Sequence, residues 1–276
     1  MDWLTEPFAL ALQQRALLGG LLASVTTSIV GTWVVLRGMS FIGDALIHGV
    51  IPGIALALLL GFDPVLGATV AAIVMIGGIN LVHRQTTFSE DTGIGLLFVG
   101  MLGLGVIIIS RTASYAGSLT AILFGDALGV STGDIAALGA TATAAAVGSV
   151  VFYRPFLVLS LDEAKAELLG LRPRLAHLTM LALVTLAVVG SFRTVGTLLV
   201  LGLLIGPPAA AALIARRVPT MMATSVVIGM FSVVAGLVIG YHAGTAGSAT
   251  MAVIPVALFF LLLAARTLWE RHVSAR

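Results

Sequence analysis

Val34-Val-Leu-Arg37-Gly-Met-Ser-Phe-Ile-Gly-Asp44-Ala-Leu-Ile-His48-Gly-Val-Ile-Pro-Gly53-Ile-Ala-Leu-Ala-Leu58 is the stretch on which the reading of this chain turns. Asp44 and His48 interrupt an apolar run, 41–60, that is long enough to cross a hydrocarbon core about 30 Å thick. Four residues apart on a helix, the two side chains stack on one face, about one turn from each other. A carboxylate and an imidazole placed so can share a divalent cation, because oxygen and nitrogen donors suit Zn²⁺, Mn²⁺ or Fe²⁺. The same spacing also suits a buried Asp–His hydrogen bond that only fixes helix packing. Spacing alone does not separate the two.

The rest of the composition places this stretch in a membrane. Of 276 residues, 59% are hydrophobic and only 9% charged, and the mean hydropathy is +1.14. Soluble domains carry about 25% charged residues. The net charge of +2 therefore bears on topology and not on nucleic acid. The absence of cysteine excludes disulfides, thiolate metal sites and cysteine nucleophiles. The acidic start, Met1-Asp-Trp-Leu-Thr-Glu-Pro7, is unlike a signal peptide, so the first apolar run is expected to be a retained span. Lys165 is the single lysine and stands in Asp-Glu-Ala-Lys-Ala-Glu, which leaves no Gly-Lys-Ser/Thr phosphate loop. If ATP drives this protein, a different polypeptide binds it.

Apolar runs predict about nine crossings, near 16–36, 41–60, 64–82, 93–110, 133–153, 176–191, 195–215, 220–240 and 251–268. The glycine-broken run 115–129 reads as a partial or re-entrant helix. With the N-terminus outside, the 14 basic residues divide 11 to 3 in favour of the cytoplasm, as the positive-inside bias requires. Small residues four apart, Gly49/Gly53, Gly202/Gly206, Gly236/Gly240 and Gly240/Gly244, predict close helix packing. Gly206-Pro-Pro208 predicts a break in the seventh crossing, beside protein or a water-filled path.

The longest polar connection, 154–175, predicts a short cytoplasmic amphipathic helix near 161–171. Asp162 and Glu163 favour its start and Gly170 its end. Leu161, Ala164, Leu168 and Leu169 form an apolar stripe, with Lys165 and Glu167 elsewhere. One lysine against three acidic residues suits anionic lipid poorly, so docking into another protein's groove is the favoured reading. Glu90, Asp91, Asp126 and Asp134 read as helix caps. His242 stands at an interface, where a histidine is usually solvated, and is a secondary metal candidate. Signatures of hydrolases and metalloproteases are missing.

These residues together resemble a known family, the ABC-3 membrane permeases of zinc and manganese importers. The specific part is 34–58, with Arg37, Met39-Ser40, Gly43-Asp44, His48 and Pro52-Gly53 in the family's order. Glu90-Asp-Thr-Gly-Ile-Gly95, Leu123-Phe-Gly-Asp126 and Val195-Gly-Thr-Leu-Leu-Val-Leu-Gly-Leu-Leu-Ile-Gly-Pro-Pro-Ala209 also follow in order. The resemblance implies one all-α permease domain over 1–276, an 8–9-helix bundle of the type II, vitamin B12-importer-like class, in a bacterial cytoplasmic membrane. It implies two permease copies around a pathway, two ATPase subunits and a metal-binding solute protein outside. Asp44 and His48 would coordinate the passing Zn²⁺ or Mn²⁺, with no permanent cofactor. The segment Asp162, Glu163, Ala164, Lys165, Leu168, Leu169 and Gly170 would be the coupling helix. Where the family often carries Asp-Thr, this chain reads Tyr241-His242-Ala-Gly244-Thr245, with Gly244 at the Asp position and His242 as the candidate substitute.

The expected function is thus a transport subunit and not an enzyme. The competing readings are an ion-coupled secondary transporter with Asp44 as proton carrier, and a membrane metalloenzyme, which the thin ligand set disfavours.

Overall fold

The computed structural model describes residues 3, 6–86, 90–110 and 130–274. After a 3-10 turn at Glu6–Ala9, the described helices are α1 (Ala11–Leu36), α2 (Ser40–Gly49), α3 (Ile51–Leu60), α4 (Pro64–Gln85), α5 (Glu90–Ile109), α6 (Thr132–Val151), α7 (Tyr153–Leu161), α8 (Glu163–Leu168), α9 (Pro173–Val195), α10 (Thr197–Ala212), α11 (Val218–Ala243) and α12 (Gly247–Ser274). No strand occurs among the described residues. The run 115–129, with Asp126, lies outside them.

Eight of the predicted crossings are helices long and apolar enough to span a membrane. The second is one span built from two helices, α2 and α3. Pro52 has no N–H to return to the His48 carbonyl, so the helix steps at Val50 while keeping right-handed dihedrals there (φ −84°, ψ −13°).

The seventh crossing is short, 16 residues or about 24 Å, and departs from expectation in one respect: the Gly-Pro-Pro sequence does not break it, because Pro207 and Pro208 lie inside α10. Proline at these positions denies a donor to the Leu203 and Leu204 carbonyls. The carbonyl of Leu204 meets Gly31 of α1 so closely that a methyl at Gly31 would overlap it. A Cα–H in place of the missing N–H is a weak partner, but it fills the space and excludes lipid. Enclosed by α1, α9, α11 and α12, α10 need not span the bilayer unaided.

The glycine spacing predicted this style of contact. Gly53 faces the Gly67 carbonyl, Gly202 faces Ala252, Gly206 faces Pro255 and Gly236 faces Met251. Gly244 differs: it caps α11 in the left-handed region (φ 64°) with open space around it. Ser28 and Ser225 exchange hydroxyl-to-carbonyl hydrogen bonds between α1 and α11 (3.2 and 3.5 Å).

The layers follow from these contacts. α1 is central and packs on α6, α9, α10 and α11. The group α2–α5 leans on α9 and α10 from the other side. Helix directions gather Arg37, Arg84, Arg154, Lys165, Arg172, Arg174, Arg216, Arg217, Arg266 and Arg271 at one end, and leave Arg15 and Arg193 at the other. Arg111 and Arg276 are outside the described residues. Asp134 caps α6 as expected, in a capping box with Ser131.

Gly31→Ala is expected to destabilise the detergent-solubilised protein by about 1–3 kcal/mol through overpacking, read as a lowered melting temperature. Gly139→Ala, at a glycine with nothing within 4 Å of the added methyl, is the control and should be neutral or slightly stabilising.

Candidate metal site and docking surface

The α2 helix has one face committed to the core. Ile42, Ala45, Leu46 and Ile47 are buried, Gly43 lies against Leu204, and Gly49 against Met75. The opposite face carries Phe41, Asp44 and His48, spaced as one helical stripe. Asp44 and His48 stay 29% and 28% exposed, with His48 Nε2 3.4 Å from Asp44 Oδ1. That separation is beyond the usual 2.7–3.2 Å hydrogen-bond range. It matches two donors about 2.1 Å from one ion at a tetrahedral angle, which sit roughly 3.4 Å apart.

Phe98 of α5 supports the pair from the side. Its ring meets the His48 ring edge-on at 5.9 Å and the Phe41 ring at 5.5 Å. Sequence reasoning missed Phe98, since one phenylalanine in an apolar span carries no distinguishing signal. It also passed over His177, which is buried on α9.

Depth follows from the packing. Gly43 and Gly31 both contact Leu204, so Asp44 lies level with a point about 8 Å inside the α1 C-terminus, and His48 about 6 Å deeper. Both therefore lie well within the span.

His242 is elsewhere. Gly20 packs against Val233 and Gly240 against Gly247, which puts His242 at the α1 N-terminal end, roughly 20 Å along the bundle from His48. Its Nε2 is 2.8 Å from the Trp3 carbonyl oxygen, and its ring stacks on the Trp3 indole at 4.4 Å and 9°. Among the described residues no three His, Asp or Glu side chains converge as a metal site, so the structure does not bring His242 to Asp44 and His48.

The predicted amphipathic segment is divided. Leu161 ends α7, and α8 covers only Glu163–Leu168. Lys165 pairs with Asp162 through its side chain (3.5 Å) and backbone N–H (3.3 Å). Gly170 takes φ 68°, and the Leu171 N–H reaches back to the Ala166 carbonyl, closing the helix as glycine C-caps do. The side chains of Glu163 and Ala164 lie outside the described residues. Ala166 is buried, while Leu161, Leu168 and Leu169 are 78%, 87% and 57% exposed. The adjoining α7 is locked to the core, where Trp33 of α1 meets Tyr153 and Phe156 edge-on at 5.6 and 5.3 Å.

The family model described as the ABC 3 transport family matches residues 9–266. The chain belongs to this family. It is 34% identical over 248 residues to the manganese transport system membrane protein MntC of Listeria innocua, covering 90% of this chain and 88% of that one. It is 31% identical over 259 residues to the chelated iron transport system membrane protein YfeD of Yersinia pestis, covering 94% and 86%. Among solved structures it is similar to PsaBC from Streptococcus pneumoniae in complex with Fab, with a TM-score of 0.83, 30% identity, and coverage of 95% of this chain and 94% of that one. The family assignment and the helical architecture agree with the resemblance read from 34–58.

His242→Ala is expected to leave metal uptake unchanged and to lower stability by about 1 kcal/mol, from the lost hydrogen bond and stack. A transport assay alongside a thermal melt separates the two effects.

Proposed function

We propose that this chain is the membrane-spanning permease subunit of an ATP-driven importer for divalent metal ions, and that Asp44 and His48 hold the ion in transit. The observation that carries the reading is the half-exposed Asp44–His48 pair inside a membrane span. A carboxylate and an imidazole directed at lipid are costly. Their open face therefore belongs against a water-filled path, with a second copy of the permease closing its far wall.

Two protein donors suit passage better than storage. A structural site encloses the ion with four protein ligands. Here water and the facing copy would complete the shell, so that the ion leaves as readily as it enters. The donor pair accepts Mn²⁺ and Zn²⁺ alike. The relative named for manganese transport supports Mn²⁺ as the cargo, delivered by an extracytoplasmic solute-binding protein.

Energy would come from two copies of a separate ATPase, since the chain has no phosphate loop. The docking element is the arginine-rich end around α8, in a bacterial cytoplasmic membrane with the N-terminus outside. Asp162 and Lys165 fix the helix start, Gly170 its end, and the exposed Leu168 and Leu169 enter the partner's groove. Movement imposed on α8 would pass through α7 and the Trp33 contact to α1, and from α1 to α10 and α2. His242 would anchor the N-terminal turn at the opposite end instead of joining the ion site.

Asp44→Ala and His48→Ala are each expected to reduce Mn²⁺ or Zn²⁺ uptake to background in vesicles containing permease, ATPase and solute protein. Copurification with the ATPase should be unaffected, and wild-type uptake by either variant sinks the assignment.

Leu168→Glu should lose ATPase copurification, at about 2 kcal/mol or more for a buried interface anchor. Because Leu168 is exposed in the isolated chain, its melting temperature should not change.

A further inference from the structure

A second feature lies across the bundle from Asp44 and His48. Between α1, α6 and α11 is an open groove of about 810 Å³, within the roughly 300–1,000 Å³ range of ligand sites. Val25 and Ile29 form its floor, Ala146 and Val150 one wall, and Ala223 and Val226 the other. It is set apart from the group α2–α5, because among the described residues α6 and α11 pack on α1 and α1 in turn on α9 and α10. From Ala146 to Tyr153 it runs about 10 Å along the bundle.

The mouth of the groove has a different chemistry. Tyr153 and Pro219 line it at the end of the bundle that carries most of the arginines. Arg154 follows Tyr153 in sequence, and Arg216 and Arg217 precede the first turn of α11. All three are exposed. Arg217 stands at the N-cap of α11 but its side chain caps nothing, and proline occupies the first turn. The positive end of a 26-residue helix thus opens at the mouth, where it favours an anion. Ser149, one turn inside, lines the groove, is 2% exposed, and its hydroxyl lacks a hydrogen-bond partner. A buried hydroxyl without a partner is rare in native proteins, and here it is a donor waiting for an acceptor.

We infer that this groove binds an anionic phospholipid, with an acyl chain along Val25, Ile29 and Ala223 and the phosphate at the Arg154 and Arg217 end. Ser149 then donates to an ester oxygen just below the headgroup. The ligand class follows from the combination of parts. An apolar trough facing lipid suits a hydrocarbon chain, unpaired arginines beside a helix N-terminus suit a phosphate, and the order from phosphate to ester to chain matches the order from mouth to floor. Basic pockets between spans on the cytoplasmic side are a general mode of anionic lipid recognition.

Native mass spectrometry of the full-length chain in detergent tests this, with phosphatidylglycerol, phosphatidylcholine or inorganic phosphate added. The expected result is a phosphatidylglycerol adduct that outlasts phosphatidylcholine and is not displaced by phosphate. In the double variant Arg154→Gln/Arg217→Gln, retention should fall on the order of tenfold, with phosphatidylcholine unaffected. Ala223→Trp, which fills the trough, should remove the adduct. The arginine variant is a surface change and decides the matter if the tryptophan variant fails to fold. Equal retention of the two lipids, retention indifferent to the arginine variant, or displacement by phosphate overturns the inference. So does efficient disulfide cross-linking between two copies carrying Ala223→Cys, which would make the groove a contact between permeases.

Discussion

The close approach of α1 and α10, where Gly31 meets the Leu204 carbonyl, is the contact on which the rest of the bundle depends. In lipid there is no hydrophobic gain from bringing two apolar helices together, so association rests on packing and on polar atoms hidden from the bilayer. Pro208 leaves the Leu204 carbonyl without its helical donor, and an exposed carbonyl in hydrocarbon is costly. Gly31 is small enough to cover it. That one contact ties the central helix to the short one, and Leu204 also receives Gly43 of α2, so Asp44, next to Gly43, is set in register with the core. A short, proline-bearing helix becomes acceptable because its neighbours enclose it.

The α2 helix shows how a rigid side and an open side can share ten residues. The buried face fixes its rotation to within a side chain, and rotation determines where Asp44 and His48 point. Phe98 and Phe41 then wall the pair on one flank. Among the described residues no further His, Asp or Glu joins the pair on its open flank, and a carboxylate facing lipid is unfavourable.

Charge and apolarity are separated along the bundle. At the arginine-rich end the exposed leucines of α8 and the uncapped start of α11 are two chemically different surfaces, one apolar and one positive. Each connects to α1, the first through Tyr153 and Phe156 on Trp33, the second through the groove floor at Val25 and Ile29. The central helix is thus in contact with both surfaces and, through α10, with the helix that bears Asp44 and His48.

Membrane class, helix positions and the shared face of Asp44 and His48 were legible in the residues alone. Runs of apolar residues set helix length against bilayer thickness, and an Asp and His four apart share a face on any helix. Glycines four apart announced close packing, and Asp134 announced a cap, with Ser131 as its partner found only in the structure. The sequence could not give what depends on neighbours distant along the chain. Two prolines in α10 predicted a break, and only the enclosing helices made a continuous short helix stable. His242 is as polar and as near an interface as a ligand would be, yet tertiary structure set it on Trp3, far from His48, because antiparallel packing of α1 and α11 carries its end away from α2. The support of Phe98 and the groove beside Ser149 likewise exist only once separate helices meet. Composition records what a residue prefers, while the partner that satisfies it is chosen by the fold.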